Sequence, residues 1–156
     1  MILFLDFDGV LHPSAAYKTK GGALLKATDH ALFEHEDLLR SVLRVRPDVR
    51  IVLSTSWVVL YGFNDTREFL HKDLQKIVKG ATWHSSMNRT QWEVMSRYEQ
   101  IALYVTRHSL KNWVAIDDDI VGWPGGQQHH LVATEGWNGL GERRVVEALL
   151  AKLKGG

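Results

Sequence analysis

Residues 2–13 read ILFLDFDGVLHP, an apolar run of strand length that passes directly into Asp6 and Asp8. A strand that is apolar along its whole length, rather than at alternate positions, is typical of a parallel sheet covered on both faces. Two neighbouring carboxylates at the end of such a strand repel each other, so each needs a proton or a counter-charge. The stretch therefore predicts a buried central strand whose carboxyl end carries a polar site.

The remainder of the chain alternates short apolar runs with segments of helical periodicity. The predicted strands are residues 2–6, 49–55, 77–82, 113–117 and 130–134, and the predicted helices are residues 36–46, 64–78, 90–108 and 141–153. Two capping-box patterns, Thr90 to Glu93 and Ser96 to Glu99, indicate that the third helix begins or restarts near Ser96. This alternation predicts an α/β fold of three layers, a Rossmann-like parallel five-stranded sheet in the order 3-2-1-4-5 with helices on both faces.

The length and composition of the chain predict a single domain and exclude chemistry that depends on cysteine. The chain has 156 residues, a formal net charge of +1 and no cysteine, which excludes disulfides, thiolate chemistry and cysteine zinc sites. We expect one domain over residues 1–156, with residues 12–35 as a flap or hairpin because they contain Gly21-Gly22 and little periodicity. No targeting segment or membrane span is evident, so the expected location is cytoplasmic, and the oligomeric state is left open.

Polar residues follow three of the predicted strands, in the stretches LDFD, LSTS and IDDD. The carboxyl ends of parallel strands lie along one edge of the sheet, where ligands bind. The residues expected to converge there are Asp6, Asp8, Thr55, Ser56, Asp117 and Asp118. A hard cation would relieve the repulsion among these carboxylates, and oxygen ligands favour Mg²⁺. Hydroxyls and backbone N–H groups at Thr55 and Ser56 suit an anion, so the pattern predicts a site that handles phosphate.

Four stretches in this order, DFDGV, IVLST, SRYEQI and VAIDDD, resemble the motifs of the haloacid dehalogenase-like (HAD) superfamily of phosphohydrolases. With FLDFDGVLHP, LSTSW and the later WNGLG, the chain is similar more narrowly to the small HAD domains associated with Swiss Army Knife RNA-repair proteins. The likeness covers residues 2–121. It implies a HAD fold without a cap domain, Mg²⁺ as the cofactor and a phosphatase that acts through an aspartyl-phosphate.

The resemblance also implies the catalytic residues. Asp6 is the expected nucleophile that attacks phosphorus, and Asp8 is the expected acid that protonates the leaving oxygen and the base that activates water. The expected contacts to phosphate are Thr55, Ser56, Arg97 and Gly9. Among these, Arg97 would neutralise charge in the transition state, and Gly9 permits the chain to turn away from the sheet.

The implied Mg²⁺ ligands are Asp6, the backbone carbonyl of Asp8, and Asp118. Asp117 is expected either to contact these ligands without binding the cation or to be an alternative ligand. Asp119 is expected outside the site. The cation would offset charge between the nucleophile and the phosphate.

The sequence allows alternatives for three residues. Ser54 is an alternative to Thr55 as the hydroxyl that binds phosphate. Arg97 stands where many family members carry lysine, and an arginine would grip phosphate as a planar fork rather than as a point charge. His12 either touches the substrate or orients the loop beside Pro13.

The expected partner is a phosphorylated substrate, with a nucleotide or a nucleic-acid end as candidates. A basic and aromatic groove for it is expected from Lys18, Lys20, Lys26, Tyr17, Trp57 and Tyr61. The remaining tryptophans are interpreted as core or loop anchors, and they are Trp92, Trp113, Trp123 and Trp137. Two rival hypotheses are a small-molecule phosphatase of the same chemistry and a non-catalytic module that binds phosphate or Mg²⁺.

Overall fold

A five-stranded parallel sheet forms the centre of the computed structural model, which describes residues 1–155 and leaves Gly156, the last residue of the predicted domain, undescribed. In chain order the strands are β1 (Ile2–Leu5), β2 (Ala16–Thr19), β3 (Gly22–Leu25), β4 (Arg50–Leu53), β5 (Val78–Ala81), β6 (Trp113–Asp117) and β7 (Leu131–Ala133). The sheet has the order β5-β4-β1-β6-β7, while β2 and β3 pair separately. The predicted order of the five sheet strands, with β1 at the centre, is confirmed.

In the described part of the chain, seven α-helices accompany the strands. They are α1 (Glu36–Leu43), α2 (Trp57–Tyr61), α3 (Phe63–Glu68), α4 (Lys72–Ile77), α5 (Arg89–Glu93), α6 (Arg97–Arg107) and α7 (Arg143–Gly155). Within residues 1–155, no helix is both long and apolar enough to cross a membrane.

Helices cover both faces of the sheet, and successive side chains of a strand point alternately to one face and the other. Leu3 and Leu5 of β1 belong to a core cluster that also contains Leu39 of α1 and Leu149 of α7. Phe4, between them, belongs to a second cluster formed with residues of β4 and β6 and with Ile101 of α6, among others. These two clusters explain why the central strand is apolar at every position.

The single helix predicted over residues 64–78 is wrong, because two helices, α3 and α4, occupy this segment. His71 lies between them with extended backbone angles, φ −57° and ψ 146°. Its ring Nδ1 accepts the backbone N–H of Asp73 at 3.2 Å, which caps the start of α4. The apolar spacing of the two helices is nearly continuous, so periodicity alone does not reveal the break.

The helix predicted over residues 90–108 restarts at Ser96, as its second capping box indicates. The Ser96 hydroxyl accepts the Glu99 N–H at 3.2 Å, and the Glu99 carboxylate accepts the Ser96 N–H at 2.7 Å. The first box does not form, since Asn88 caps α5 instead. The Ser96 cap places Arg97 as the first residue of α6, facing the carboxyl edge of the sheet.

The segment predicted as a flap contains the antiparallel hairpin of β2 and β3. Lys18 anchors this hairpin to α2, because its ammonium donates to the Leu60 carbonyl at 3.0 Å and lies 5.0 Å from the centre of the Tyr61 ring. The hairpin therefore lies next to α2, the helix that follows β4.

Candidate active site

Three acidic side chains meet at the carboxyl ends of β1 and β6. These strands are parallel neighbours with Leu5 opposite Ile116, so Asp6 and Asp117 leave the sheet side by side. One carboxylate oxygen each from Asp6, Asp117 and Asp118 lies within 4.8 Å of the other two. The structure thus forms an acidic cluster from segments far apart in the chain, and two of its three members are buried.

The guanidinium of Arg97 faces this acidic cluster. Arg97 Nη2 lies 3.6 Å from Asp6 Oδ2, and Arg97 Nε lies 3.0 Å from Asp117 Oδ2. The second contact is an ion pair by distance, although the N–H is not aligned as a hydrogen bond. Arg97 Nη1 also donates to the Gln100 side chain at 3.4 Å. The side chain of Arg97 is only 14% exposed, so its charge acts in a poorly solvated environment.

Burial controls the electrostatics of the cluster. It raises the pKa of Asp6 from 3.8 to about 6, because desolvation and the charges of Asp8 and Asp118 outweigh the lowering effect of Arg97. Burial, with the charge of Asp6, also raises the pKa of Asp117 well above its ordinary value, and burial raises that of Asp118. For Arg97, burial lowers the pKa but the carboxylates reverse this, so the net shift is upward. One guanidinium therefore does not compensate three carboxylates.

The acidic cluster fits a hard divalent cation. Carboxylate oxygens are ligands that Mg²⁺ prefers, and Asp6 and Asp118 with Asp117 supply them. Asp117 Oδ2 is buried and, apart from its ion pair with Arg97 Nε, has no hydrogen-bond partner in the described part of the chain, so it can still accept a cation or an ordered water. Gly9 and Gly136 give Asp118 room, because a Cβ atom would lie 2.3 Å or 3.0 Å, respectively, from Asp118 Oδ2.

The Asp8 carboxylate is not part of the acidic cluster. His12 Nε2 lies 2.9 Å from Asp8 Oδ1, and the indole Nε1 of Trp57 donates to Asp8 Oδ2 at 2.9 Å. Asp8 stays 26% exposed, whereas the His12 side chain is fully buried. Of the two alternatives for His12, contact with the substrate or orientation of the loop, the buried position against Asp8 agrees with orientation of the loop.

Thr55 and Ser56 follow β4 and line a cavity of about 320 Å³ that also borders Arg97, here called the Thr55 cavity. Ser54 is fully buried and its hydroxyl has no hydrogen-bond partner among residues 1–155. Of the two candidate hydroxyls, Thr55 is the one that borders open space. Arg89 and Trp92 of α5 also line this cavity, and no motif in the sequence indicated them.

Gly9 forms the turn that carries the chain away from β1, with φ +75°. Its N–H donates to the His12 carbonyl at 2.9 Å, and its own carbonyl accepts the Thr134 hydroxyl at 2.6 Å. Both backbone groups are therefore engaged, so the phosphate contact predicted for Gly9 has no free donor. The contribution of Gly9 to the site is the space that it leaves for Asp118.

One residue of the expected basic and aromatic groove, Trp57, has a position that differs from the prediction. Trp57 is buried, so it cannot stack on a substrate base. Trp137, interpreted as an anchor, is 47% exposed instead. Together with residues 25–30 it lines a cavity of about 530 Å³, here called the hairpin groove, and it follows Gly136 beside Asp118. Lys26 belongs to this groove and lies 5.1 Å from the centre of the Tyr17 ring.

No curated protein and no solved structure matches the chain. A family model described as the HAD domain in Swiss Army Knife RNA repair proteins matches residues 2–145, which is most of the chain. This match confirms the resemblance that the motifs indicated, and the sheet order agrees with it. The chain therefore belongs to the family of HAD domains in Swiss Army Knife RNA repair proteins.

Proposed function

We propose that this protein is a Mg²⁺-dependent phosphatase that hydrolyses phosphomonoesters through an aspartyl-phosphate formed on Asp6. The observation that supports it most is the position of Asp6 at the meeting point of the acidic cluster and Arg97. Asp6 Oδ1 accepts the Phe7 N–H at 2.8 Å, which orients the carboxylate. Membership of the HAD family supports the same general chemistry.

In the first step, an oxygen of Asp6 forms a bond to phosphorus while the bond from phosphorus to the leaving oxygen breaks. Asp8 transfers its proton to that oxygen. In the second step Asp8 takes a proton from water, whose oxygen attacks phosphorus, and the bond to Asp6 breaks to release phosphate. Arg97 and the Thr55 hydroxyl would stabilise the phosphoryl oxygens.

When bound, Mg²⁺ would be held by Asp6, Asp118 and the Asp8 backbone carbonyl, and it would offset charge between the nucleophile and the phosphate. It would also favour the ionised form of Asp6 that attack requires, since a nearby positive charge lowers the pKa of a carboxyl. Asp117, paired with Arg97, would hold that guanidinium in place.

We propose a nucleic-acid end as the substrate. The family is described by its occurrence in RNA repair proteins, and the exposed Trp137 in the hairpin groove offers a face on which a base can stack. The segment between β1 and α1 holds a two-stranded hairpin in the place of a cap domain, which suits access by a large substrate. Lys26 in the groove supplies positive charge for a phosphate backbone.

A small-molecule phosphatase is the second candidate, and the Thr55 cavity supports it. Its volume of about 320 Å³ suits a nucleotide-sized ligand. A comparison of p-nitrophenyl phosphate, a nucleotide panel and oligonucleotides with a 5′- or 3′-phosphate separates the two candidates. Equal kcat/KM for oligonucleotide ends and mononucleotides would contradict the nucleic-acid proposal.

Trp137→Ala sharpens this comparison. Since stacking of one base contributes about 1–3 kcal/mol, the variant should lose substantially more kcat/KM on oligonucleotides than on p-nitrophenyl phosphate. Trp137→Phe keeps an aromatic face and should retain part of the preference. A wild-type protein without activity on any phosphoester would instead favour the non-catalytic module.

A further inference from the structure

Both oxygens of the Asp8 carboxylate are held by side chains from two different segments. His12 Nε2 lies 2.9 Å from Oδ1, and the indole N–H of Trp57 donates to Oδ2 at 2.9 Å. His12 comes from the loop after β1, whereas Trp57 is the first residue of α2. Two contacts on opposite oxygens fix the rotation of a carboxylate, which one contact would not do.

The backbone of Phe33 determines which nitrogen of His12 carries the proton. The Phe33 N–H donates to His12 Nδ1 at 3.1 Å, so Nδ1 is an acceptor and carries no proton. Nε2 must then hold the ring proton and donate it to Asp8. Phe33 adopts φ +58°, a left-handed conformation that is uncommon outside glycine. A costly backbone geometry thus supports the tautomer that points a donor at Asp8.

The aromatic rings around these donors fix their positions. Phe33 packs edge-on against His12, Phe7 and Trp57, with ring centres 5.0 to 5.4 Å apart. Trp57 in turn packs edge-on against Phe69 at 5.0 Å. His12 and Trp57 are both buried, so neither side chain can exchange its contact for water without a rearrangement of the core.

We propose that His12 and Trp57 are positioning residues that orient the Asp8 carboxylate for proton transfer to the leaving oxygen. Each carboxylate oxygen has two lone pairs, so Asp8 can accept both hydrogen bonds and still carry a proton on a remaining lone pair. The Asp8 side chain remains partly exposed, so a substrate can reach the carboxylate. This inference rests on the proposed phosphatase function and adds two residues to it.

A positioning role for His12 and Trp57 predicts a difference between substrates that a purely structural role does not predict. An alkoxide is a poor leaving group and needs the proton from Asp8, whereas p-nitrophenolate leaves with little help. General acid catalysis contributes about 10²- to 10⁴-fold to a reaction that depends on it. Misorientation of Asp8 should therefore lower kcat/KM far more for alkyl phosphates than for p-nitrophenyl phosphate.

The test compares the wild type with Trp57→Phe, which removes the indole N–H and keeps an aromatic ring. We expect kcat/KM to fall at least about tenfold more for an alkyl phosphate, such as glycerol phosphate, than for p-nitrophenyl phosphate. A second pair addresses His12: His12→Leu removes the donor, whereas His12→Gln can still direct an amide N–H toward Asp8. The glutamine variant should recover part of the loss on alkyl phosphates.

Trp113→Phe is the matched control, because Trp113 is a buried tryptophan of β6 that belongs to the second core cluster and not to the Asp8 environment. Thermal unfolding identifies any variant that fails to fold, and Trp57→Phe decides the outcome if the His12 variants do not fold. Equal loss on both substrate classes in Trp57→Phe would overturn the positioning role alone. Absence of phosphatase activity in the wild type would instead overturn the proposed function.

Discussion

Asp6→Asn should stabilise this protein in the absence of a divalent cation. The carboxyl of Asp6 is buried and its pKa is raised from 3.8 to about 6, so its charged form is disfavoured in the folded state. At neutral pH this difference corresponds to about 3 kcal/mol of lost stability. Asparagine removes the charge but keeps an oxygen for the Phe7 N–H. The raised pKa already includes the attraction of Arg97, 3.6 Å away, so the net expectation stays at about 3 kcal/mol.

The pH dependence of the free energy of unfolding tests the direction of this stabilisation. Below about pH 3 the carboxyl is protonated in both states, so wild type and Asp6→Asn should have similar free energies of unfolding, and the gap should open as the pH rises above the unfolded-state pKa of 3.8. As the pH rises through the folded-state pKa of about 6, the wild type should lose stability relative to the variant. Urea denaturation in EDTA at several pH values measures this gap. A variant less stable than the wild type at pH 7, or a gap that widens toward acid, would refute the reasoning.

Three further variants test the site and its supports. Asp118→Asn should weaken Mg²⁺ binding at least about tenfold, measured by calorimetry. Asp119→Asn should weaken it much less, because the Asp119 side chain accepts the N–H of residue 121 and acts on the cluster only through its charge. Gly9→Ala should destabilise the fold by about 1–3 kcal/mol more than Gly22→Ala, because both glycines have positive φ but only Gly9 lies against the acidic cluster. Urea denaturation measures the difference, and equal losses of stability would argue against this contact. Ser96→Ala should lower stability by about 1 kcal/mol, measured in the same way, since it removes the cap of α6.

The sheet was predictable because its strands are buried on both faces and therefore read as apolar runs. The segment 113–117, predicted as the fourth strand, is β6 with the same bounds. Convergence of Asp6 with Asp117 and Asp118 followed from the topology alone, since parallel neighbours end at one edge. The residues that follow each strand therefore predicted the acidic cluster at this edge of the sheet.

The surroundings of Asp8 were not predictable in the same way. Trp57 was expected at an exposed groove, yet it is buried and donates to Asp8. His12 depends on the backbone of Phe33, which lies 21 positions along the chain in a left-handed conformation. Such contacts arise from tertiary packing, and neither hydrophobic periodicity nor a motif encodes them.

The break between α3 and α4 escaped prediction for a related reason. His71 interrupts an apolar pattern that would suit one longer helix, and its cap on Asp73 involves a ring nitrogen rather than one of the usual capping oxygens. At Ser96, by contrast, the reciprocal contact with Glu99 is a recognisable local pattern, and the restart of the helix was predicted.

The central claim is that Asp6 becomes phosphorylated during turnover, and trapping that intermediate tests it most directly. Asp8→Asn lacks the base that activates water, so with ³²P-labelled p-nitrophenyl phosphate and Mg²⁺ it should accumulate label that survives acid quenching and is released by hydroxylamine, as an acyl phosphate would be. Mass spectrometry should locate the label on Asp6, and the double variant Asp6→Asn with Asp8→Asn should carry none. Label that persists in the double variant, or wild-type turnover without any label in Asp8→Asn, would contradict the account.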